Sequence, residues 1–133
     1  MDDSVWTNLV ETALEVQQNA YARYSQFPVA AALLAKSGAT YRGVNVENAS
    51  SGLTVCAERN AVAAAIAAGE REFVALVVVL PGGGTPCGAC RQVLVEFCPD
   101  LPILLVDSDA PENRQLTTLA ALFPSPFASS RLV

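Results

Sequence analysis

The chain reads as an α/β protein built on a single mixed sheet with helices packed on it. Three observations predict this. Segments with helical apolar spacing alternate with short apolar runs in the order helix, strand, strand, helix, strand, helix, strand, helix. The run 73–80 is wholly apolar, the pattern of a strand buried on both faces. The stretch 73–106 is strand, helix, strand, and such a crossover makes its two strands parallel neighbours.

The elements follow in order. Residues 3–22 carry Val5, Leu9, Val10, Ala13, Leu14, Val16 and Ala20 close to helical spacing. Ser4 is placed to cap this helix, with Thr7 rather than the usual Glu three residues on. Pro28 blocks helix and starts an extended run from Val29 to Ala35. Lys36-Ser37-Gly38 reads as a hairpin turn, and Thr40 to Val46 as the returning strand. Cys56 to Ala68 is Ala-rich and stops at Gly69, a helix with a C-terminal cap. After the strand 73–80, Pro81-Gly82-Gly83-Gly84 is a flexible loop and Gly88 to Phe97 a second short helix. Ile103 to Val106 is another apolar strand, and Leu116 to Leu122 a last helix before a Pro- and Ser-rich tail.

The 133 residues fit one domain spanning 1–133. Hydrophobic residues make up 52% of them and charged residues 16%, more apolar than an ordinary small domain. That excess predicts burial against partner subunits. Net charge is −5, and the eight basic residues never cluster, which argues against nucleic acid and against an anionic membrane surface. Met1-Asp2-Asp3-Ser4 lacks the basic start of a signal peptide. The apolar run 73–80 is far shorter than the ~20 residues of a membrane helix. A soluble, cytoplasmic protein is the expectation. In that setting four cysteines read as ligands or core residues, not as a disulfide framework.

Three of them carry the functional argument. Cys87-Gly88-Ala89-Cys90 is a Cys-x-x-Cys unit, and Cys56 lies 31 positions before it, followed by Ala57 and Glu58. Both units fall at predicted helix N-termini, where free N–H groups and the helix dipole favour thiolate, the form that binds Zn²⁺. Three protein ligands leave a fourth position open, which distinguishes a catalytic zinc from a closed structural one. Water there has its pKa lowered toward ~7. Glu58, two residues beyond a ligand and on the first helical turn, is placed to move protons as a general acid and base without ligating the metal. Cys98 would close the site as a fourth ligand, but it lies eight residues beyond Cys90, at the far end of a predicted helix roughly 12 Å long. A core role fits it better. A Cys-x-x-Cys redox pair would leave Cys-Ala-Glu unexplained. Arg59 and Arg91 directly follow the two units. Three thiolates on Zn²⁺ leave a net −1, and arginines donating to the sulfurs would offset it.

Cys56-Ala57-Glu58 with Pro86-Cys87-Gly88-Ala89-Cys90 resembles the zinc deaminase pattern in its three-cysteine form. The chain is similar to the small homotetrameric, zinc-dependent cytidine deaminases of nucleoside salvage from about Tyr21 to Phe127. Further segments carry the likeness: Tyr24-Ser25-Gln26-Phe27-Pro28-Val29, Gly43-Val44-Asn45-Val46-Glu47-Asn48-Ala49, Arg59 after Cys-Ala-Glu, Arg91-Gln92-Val93-Leu94, and Leu122-Phe123-Pro124-Ser125-Pro126-Phe127.

The resemblance implies a three-layer α-β-α fold with a mixed five-stranded sheet, one zinc per chain, and hydrolysis of cytidine and deoxycytidine to uridine and deoxyuridine plus ammonia. It implies that zinc-bound hydroxide attacks the ring, with Glu58 shuttling the protons. It places Asn45 and Glu47 on the ribose hydroxyls, Phe27 against the pyrimidine, and the Ala57 N–H and Thr85 carbonyl on the base edge. It sends Phe127 into a neighbouring subunit's site. Two departures stand out: Ala30 replaces a usual Gly, and Ser51-Gly52 stands where an aromatic residue is common. A relative acting on another aminopyrimidine nucleoside, such as a blasticidin S deaminase, is the nearest alternative. A structural zinc module is another, but it would have no need of Glu58.

Overall fold

Asp2, not Ser4, caps the first helix, α1 (Asp3–Val16), in the computed structural model, which describes residues 1–128. The Asp2 carboxylate accepts the Ser4 N–H at 2.9 Å and the Val5 N–H at 3.2 Å. A negative cap also suits the positive end of the helix dipole. α1 is shorter than its apolar spacing predicts. A 3-10 turn, Gln17–Asn19, follows it, and Tyr21 is already extended. The Tyr21 N–H donates to the Asn45 carbonyl, and its carbonyl accepts the Glu47 N–H, both at 2.9 Å. Gln17 donates to the Pro28 carbonyl and the Ser108 hydroxyl at 3.0 Å each. These long-range tethers outweigh the weak helical signal of the segment.

The predicted hairpin forms from β1 (Ala30–Ala35) and β2 (Thr40–Val44), paired antiparallel with Ala30 opposite Val44. Gly38 makes the turn at φ 94°, a conformation that favours glycine. β2 stops before Val46, which bridges to Tyr21 and Val55 instead. The second helix, α2 (Ala57–Ala67), begins at Cys56 as its cap. It ends as predicted at Gly69, with φ 95°. There the Glu70 N–H reaches the Ala65 carbonyl and the Gly69 N–H the Ile66 carbonyl, both at 3.0 Å, which satisfies two orphan acceptors of the last turn.

β3 (Phe73–Leu80), α3 (Gly88–Val95) and β4 (Pro102–Asp107) form the predicted crossover. β3 and β4 are parallel, with Leu76 opposite Ile103. β3 also pairs antiparallel with β1, so it lies at the centre of the sheet, consistent with its unbroken apolar run.

The predicted helix over 116–122 is corrected. Arg114–Thr118 is instead an edge strand, β5, antiparallel to β4, and only Leu119–Leu122 is helical, as α4. The β-branched pair Thr117-Thr118 favours the strand. The Thr118 hydroxyl accepts the Ala121 N–H at 3.1 Å and so starts α4. β5 completes the five-stranded sheet, in the order β2-β1-β3-β4-β5.

The two faces of the sheet bury different cores. Ala30, Ala32, Val77, Val79 and Val106 pack with Leu9, Val10 and Ala13 of α1. Ala31, Leu33, Leu76, Val78 and Ile103 pack with Ala61 and Val62 of α2, Leu94 of α3 and Leu119 of α4. The fold is therefore three layers, α-β-α. Among the described residues, no helix is long and apolar enough to cross a membrane. The last five residues of the Pro- and Ser-rich tail, 129–133, lie outside the described residues.

Candidate active site and metal centre

The three predicted cysteine ligands meet. Cys56 caps α2, Cys87 caps α3, and Cys90 sits in the first turn of α3. Their sulfurs lie within 4.8 Å of one another. Cys56 and Cys87 are separated by 3.8 Å, Cys87 and Cys90 by 3.5 Å. Tetrahedral zinc with Zn–S bonds near 2.3 Å needs sulfurs about 3.8 Å apart, so the trio fits that ion. Cys90 is fully buried and Cys87 exposed, so the cluster has a closed side and an open side. Cys98 is not part of the trio; it packs against the core on the α2 and α3 face.

Electrostatics favour a cation here. A hydrogen bond with Cys90 and, against some burial, the Arg59 guanidinium hold the Cys56 thiol down at about 5. The same bond with Cys56, together with burial, pushes Cys90 far above the ordinary thiol range. Arg59 Nη2 lies 3.6 Å from the Cys56 sulfur.

Arg91 does not take the same role. Its Nε donates to the Pro86 carbonyl at 2.8 Å, Nη1 to the Leu122 carbonyl at 3.1 Å, and Nη2 to the Thr85 hydroxyl at 2.9 Å. It ties the 85–86 segment, just before Cys87, to the end of α4. It therefore fixes the backbone that carries a ligand and gives no hydrogen bond to sulfur. Leu122 as its anchor has no sequence signal, because the contact is made by a backbone carbonyl.

Glu58 follows Cys56 by two residues and is only 4% exposed. Burial pushes its carboxyl up to about 7, and the negative Cys56 adds to the effect. Such a group gives and takes protons near neutral pH. A buried carboxyl of this kind beside three convergent thiols is a catalytic arrangement more than a structural one.

Residues 4–104 match the family described as the cytidine and deoxycytidylate deaminase zinc-binding region. The chain belongs to this family. It is 43% identical over 127 residues to a cytidine deaminase of Sporosarcina psychrophila, covering 93% of this chain and 92% of that one. It is 44% identical over 124 residues to that of Halalkalibacterium halodurans, covering 91% and 92%. Its fold superposes on the crystal structure of cytidine deaminase from Burkholderia pseudomallei with a TM-score of 0.87 at 42% identity. That match covers 96% of this chain and all of the other. As a member of this family the protein is a zinc-dependent hydrolase.

Three of the substrate-facing residues expected for the family, Phe27, Asn45 and Glu47, meet at the turn 24–29. Asn45, 8% exposed, accepts the Val29 N–H at 3.0 Å and donates to the Phe27 carbonyl at 2.9 Å. Glu47 Oε1 accepts the Tyr24 and Ser25 N–H groups at 3.0 Å each, and Oε2 is hydrogen-bonded to the Ser25 hydroxyl. These bonds, that to the Ser25 hydroxyl foremost, hold the Glu47 carboxyl below its ordinary range. Both side chains thus lie on one side of their segment, as alternation predicts, and both steady the turn that carries Phe27. Each keeps unused capacity: a second donor and a lone pair on Asn45, further lone pairs on Glu47.

Phe27 is 42% exposed and Phe127 59% exposed. The Phe127 carbonyl accepts Gln92 Nε2 at 2.8 Å, which pins the C-terminal segment beside α3. Ala57 is buried at the first position of α2, where helices leave an N–H without an intrahelical partner. Thr85 is exposed on the loop before Pro86.

The two sequence departures land in different parts of the fold. Ala30 packs on the α1 face of the sheet, opposite α2, so its methyl group does not crowd the metal side. Ser51 opens an exposed 3-10 turn, Ser51–Leu53. Two residues were missed as site builders. Ser25 contacts both Glu47 and Phe27, and Gly43 lies under the first turn of α2. Both stand within segments that carry the family likeness, but their roles depend on contacts far along the chain.

Proposed function

We propose that the protein deaminates cytidine and deoxycytidine to uridine and deoxyuridine, releasing ammonia, as one domain. The observation that carries this is the convergence of Cys56, Cys87 and Cys90 with buried Glu58 at two helix N-termini, in a chain of the deaminase family. Cys56, Cys87 and Cys90 would hold the zinc, which would supply the positive charge that acidifies the attacking water.

The chain's own groups do the rest. Glu58, poised near neutrality, takes the proton of the attacking water, delivers it to ring N3, and then helps protonate the amine leaving C4. The Ala57 N–H and the Thr85 carbonyl read the base edge, and Phe27 packs on the ring. Asn45 and Glu47 spend their remaining hydrogen-bonding capacity on the sugar hydroxyls. Arg59 balances thiolate charge, while Arg91 holds the Thr85–Pro86 backbone in place.

The same reading includes a homotetramer. Cys87, Phe27 and Phe127 are open to solvent in the single chain, which leaves the substrate face uncovered. Neighbouring copies cover it, and Phe127 reaches the adjoining site. A cytoplasmic place in pyrimidine salvage, with no nucleic-acid or membrane partner, belongs to the reading too.

The test is ammonia release from purified protein given cytidine, deoxycytidine and blasticidin S in parallel. Turnover of both cytidines well above that of blasticidin S is expected, with one zinc per chain by elemental analysis and a tetramer by light scattering. Failure to deaminate either cytidine would overturn the reading. A preference for blasticidin S would move the chain to that alternative.

A further inference from the structure

The turn before β1 adopts a conformation its residues do not favour locally. Gln26 sits at φ 56°, the left-handed region that residues with a Cβ seldom enter. Backbone of this kind persists where surrounding contacts over-determine it. Those contacts converge on Ser25. Its hydroxyl is hydrogen-bonded to Glu47 Oε2 and accepts the Phe27 N–H at 3.1 Å. A hydroxyl has one proton to donate and lone pairs to accept with. With its proton given to the carboxylate, the lone pairs face the Phe27 N–H. One oxygen atom therefore links Glu47 to the backbone of Phe27, across Gln26. The Tyr24 and Ser25 N–H groups complete the clamp on Glu47 Oε1.

We propose that Ser25 is a positioning residue for nucleoside binding, orienting Glu47 toward the sugar hydroxyls through its own hydroxyl. The inference rests on the cytidine reading above, with Glu47 on the sugar hydroxyls. Without the Ser25 hydroxyl, Glu47 Oε2 loses a fixed partner and the Phe27 N–H loses its acceptor. The carboxylate is then free to turn, and the ordering cost moves to the moment of binding. Because the clamp acts on substrate affinity and not on the proton shuttle, its loss appears in KM and not in kcat.

Comparing cytidine with 2′,3′-dideoxycytidine, which lacks both sugar-ring hydroxyls, tests this. For Ser25→Ala, KM for cytidine is expected to rise about five- to tenfold, the net scale of one ordinary hydrogen bond, with kcat within about twofold. KM for dideoxycytidine should move far less, so discrimination between the two substrates shrinks. Ser25→Thr, which keeps the hydroxyl, should restore most of it. Zinc content and melting temperature show that the variant is folded; should Ser25→Ala not fold, Ser25→Gly provides the same comparison. Equal losses on both substrates would make Ser25 merely structural and overturn the inference, as would unchanged discrimination. Wild-type protein that deaminates cytidine without favouring it over dideoxycytidine would overturn the inference alone. Wild-type protein inactive on cytidine would overturn the functional reading with it.

Discussion

Gly43 lies directly beneath Ala57: a methyl group on the Gly43 Cα would stand 2.2 Å from the Ala57 carbonyl oxygen and 2.5 Å from the Ala61 nitrogen. Both are backbone atoms and have no rotamer to escape into. The start of α2, which carries Cys56 and Glu58, is therefore seated on β2 by the absence of a side chain. Gly43→Ala is expected to push α2 outward, costing about 1–3 kcal/mol as overpacked cores do. Zinc content should fall as well, because Cys56 moves with the helix. Thermal unfolding and elemental analysis would show both effects; a variant with unchanged metal and melting temperature would refute this seating.

Glu58→Gln keeps the shape of the side chain and removes its proton chemistry. Zinc content and melting temperature should persist, while the rate of cytidine loss by absorbance drops by about 10²–10⁴. The substitution also has a stability consequence in chelator-treated protein. Burial raises the Glu58 carboxyl from 4.5 to about 7, so the folded state holds this proton more tightly than the unfolded chain. Stability from this group is thus fully present below about 4.5 and is lost as pH rises toward 7. Glu58→Gln should remove that loss, gaining on the order of 3 kcal/mol over the metal-free wild type at pH above 7. Denaturant titrations at acid and neutral pH would measure it.

Arg59 Nη2 donates to the Cys56 sulfur at 3.6 Å. Arg59→Gln is expected to lower kcat by about 10–100-fold with zinc retained, the usual scale for groups that tune a metal's ligands. The alkaline direction of the pH–rate profile should change with it. Removing a positive charge beside the thiolates makes the attacking water harder to deprotonate, so the profile shifts to higher pH. A variant with the wild-type profile would show that Arg59 does not offset thiolate charge.

The metal-free sulfurs share protons unequally. Cys56 is held at about 5, while Cys90 is pushed well above the ordinary range, so at neutral pH at least Cys90 keeps its proton. Zinc must displace it. Metal uptake at pH 7 is expected to release at least one proton per chain, and affinity should weaken about tenfold or more from pH 7 to pH 6. Proton release into a dilute indicator buffer and chelator competition at the two pH values check this. Uptake without proton release would contradict it.

Much of the fold was legible along the chain. The crossover 73–106 follows from local pattern alone, since a strand, helix and strand close together have one favoured arrangement. The cap at Gly69 is equally local. The misread segment 116–122 had no such support. Leu116, Ala120 and Leu122 suggest a helical face, but Leu116 is 62% exposed on an edge strand, where pairing with β4 decides the structure and not amphipathic spacing. The end of α1 was misread for a similar reason, since Tyr21 answers to main-chain partners at Asn45 and Glu47.

The metal site divides the same way. The sequence by itself determined which residues could bind zinc and which carboxyl could serve it, because thiol spacing and helix N-termini are local properties. The likeness to deaminases singled out Asn45, Glu47 and Phe27. Only the tertiary structure decided how the two arginines separate, with Arg59 on sulfur and Arg91 on the backbone around Thr85 and Leu122. It alone put Ser25 between Glu47 and Phe27, and α2 against Gly43. The physical reason is common to all three. Hydrogen-bond partners and steric contacts depend on where distant segments meet, and a local pattern carries no record of that distance.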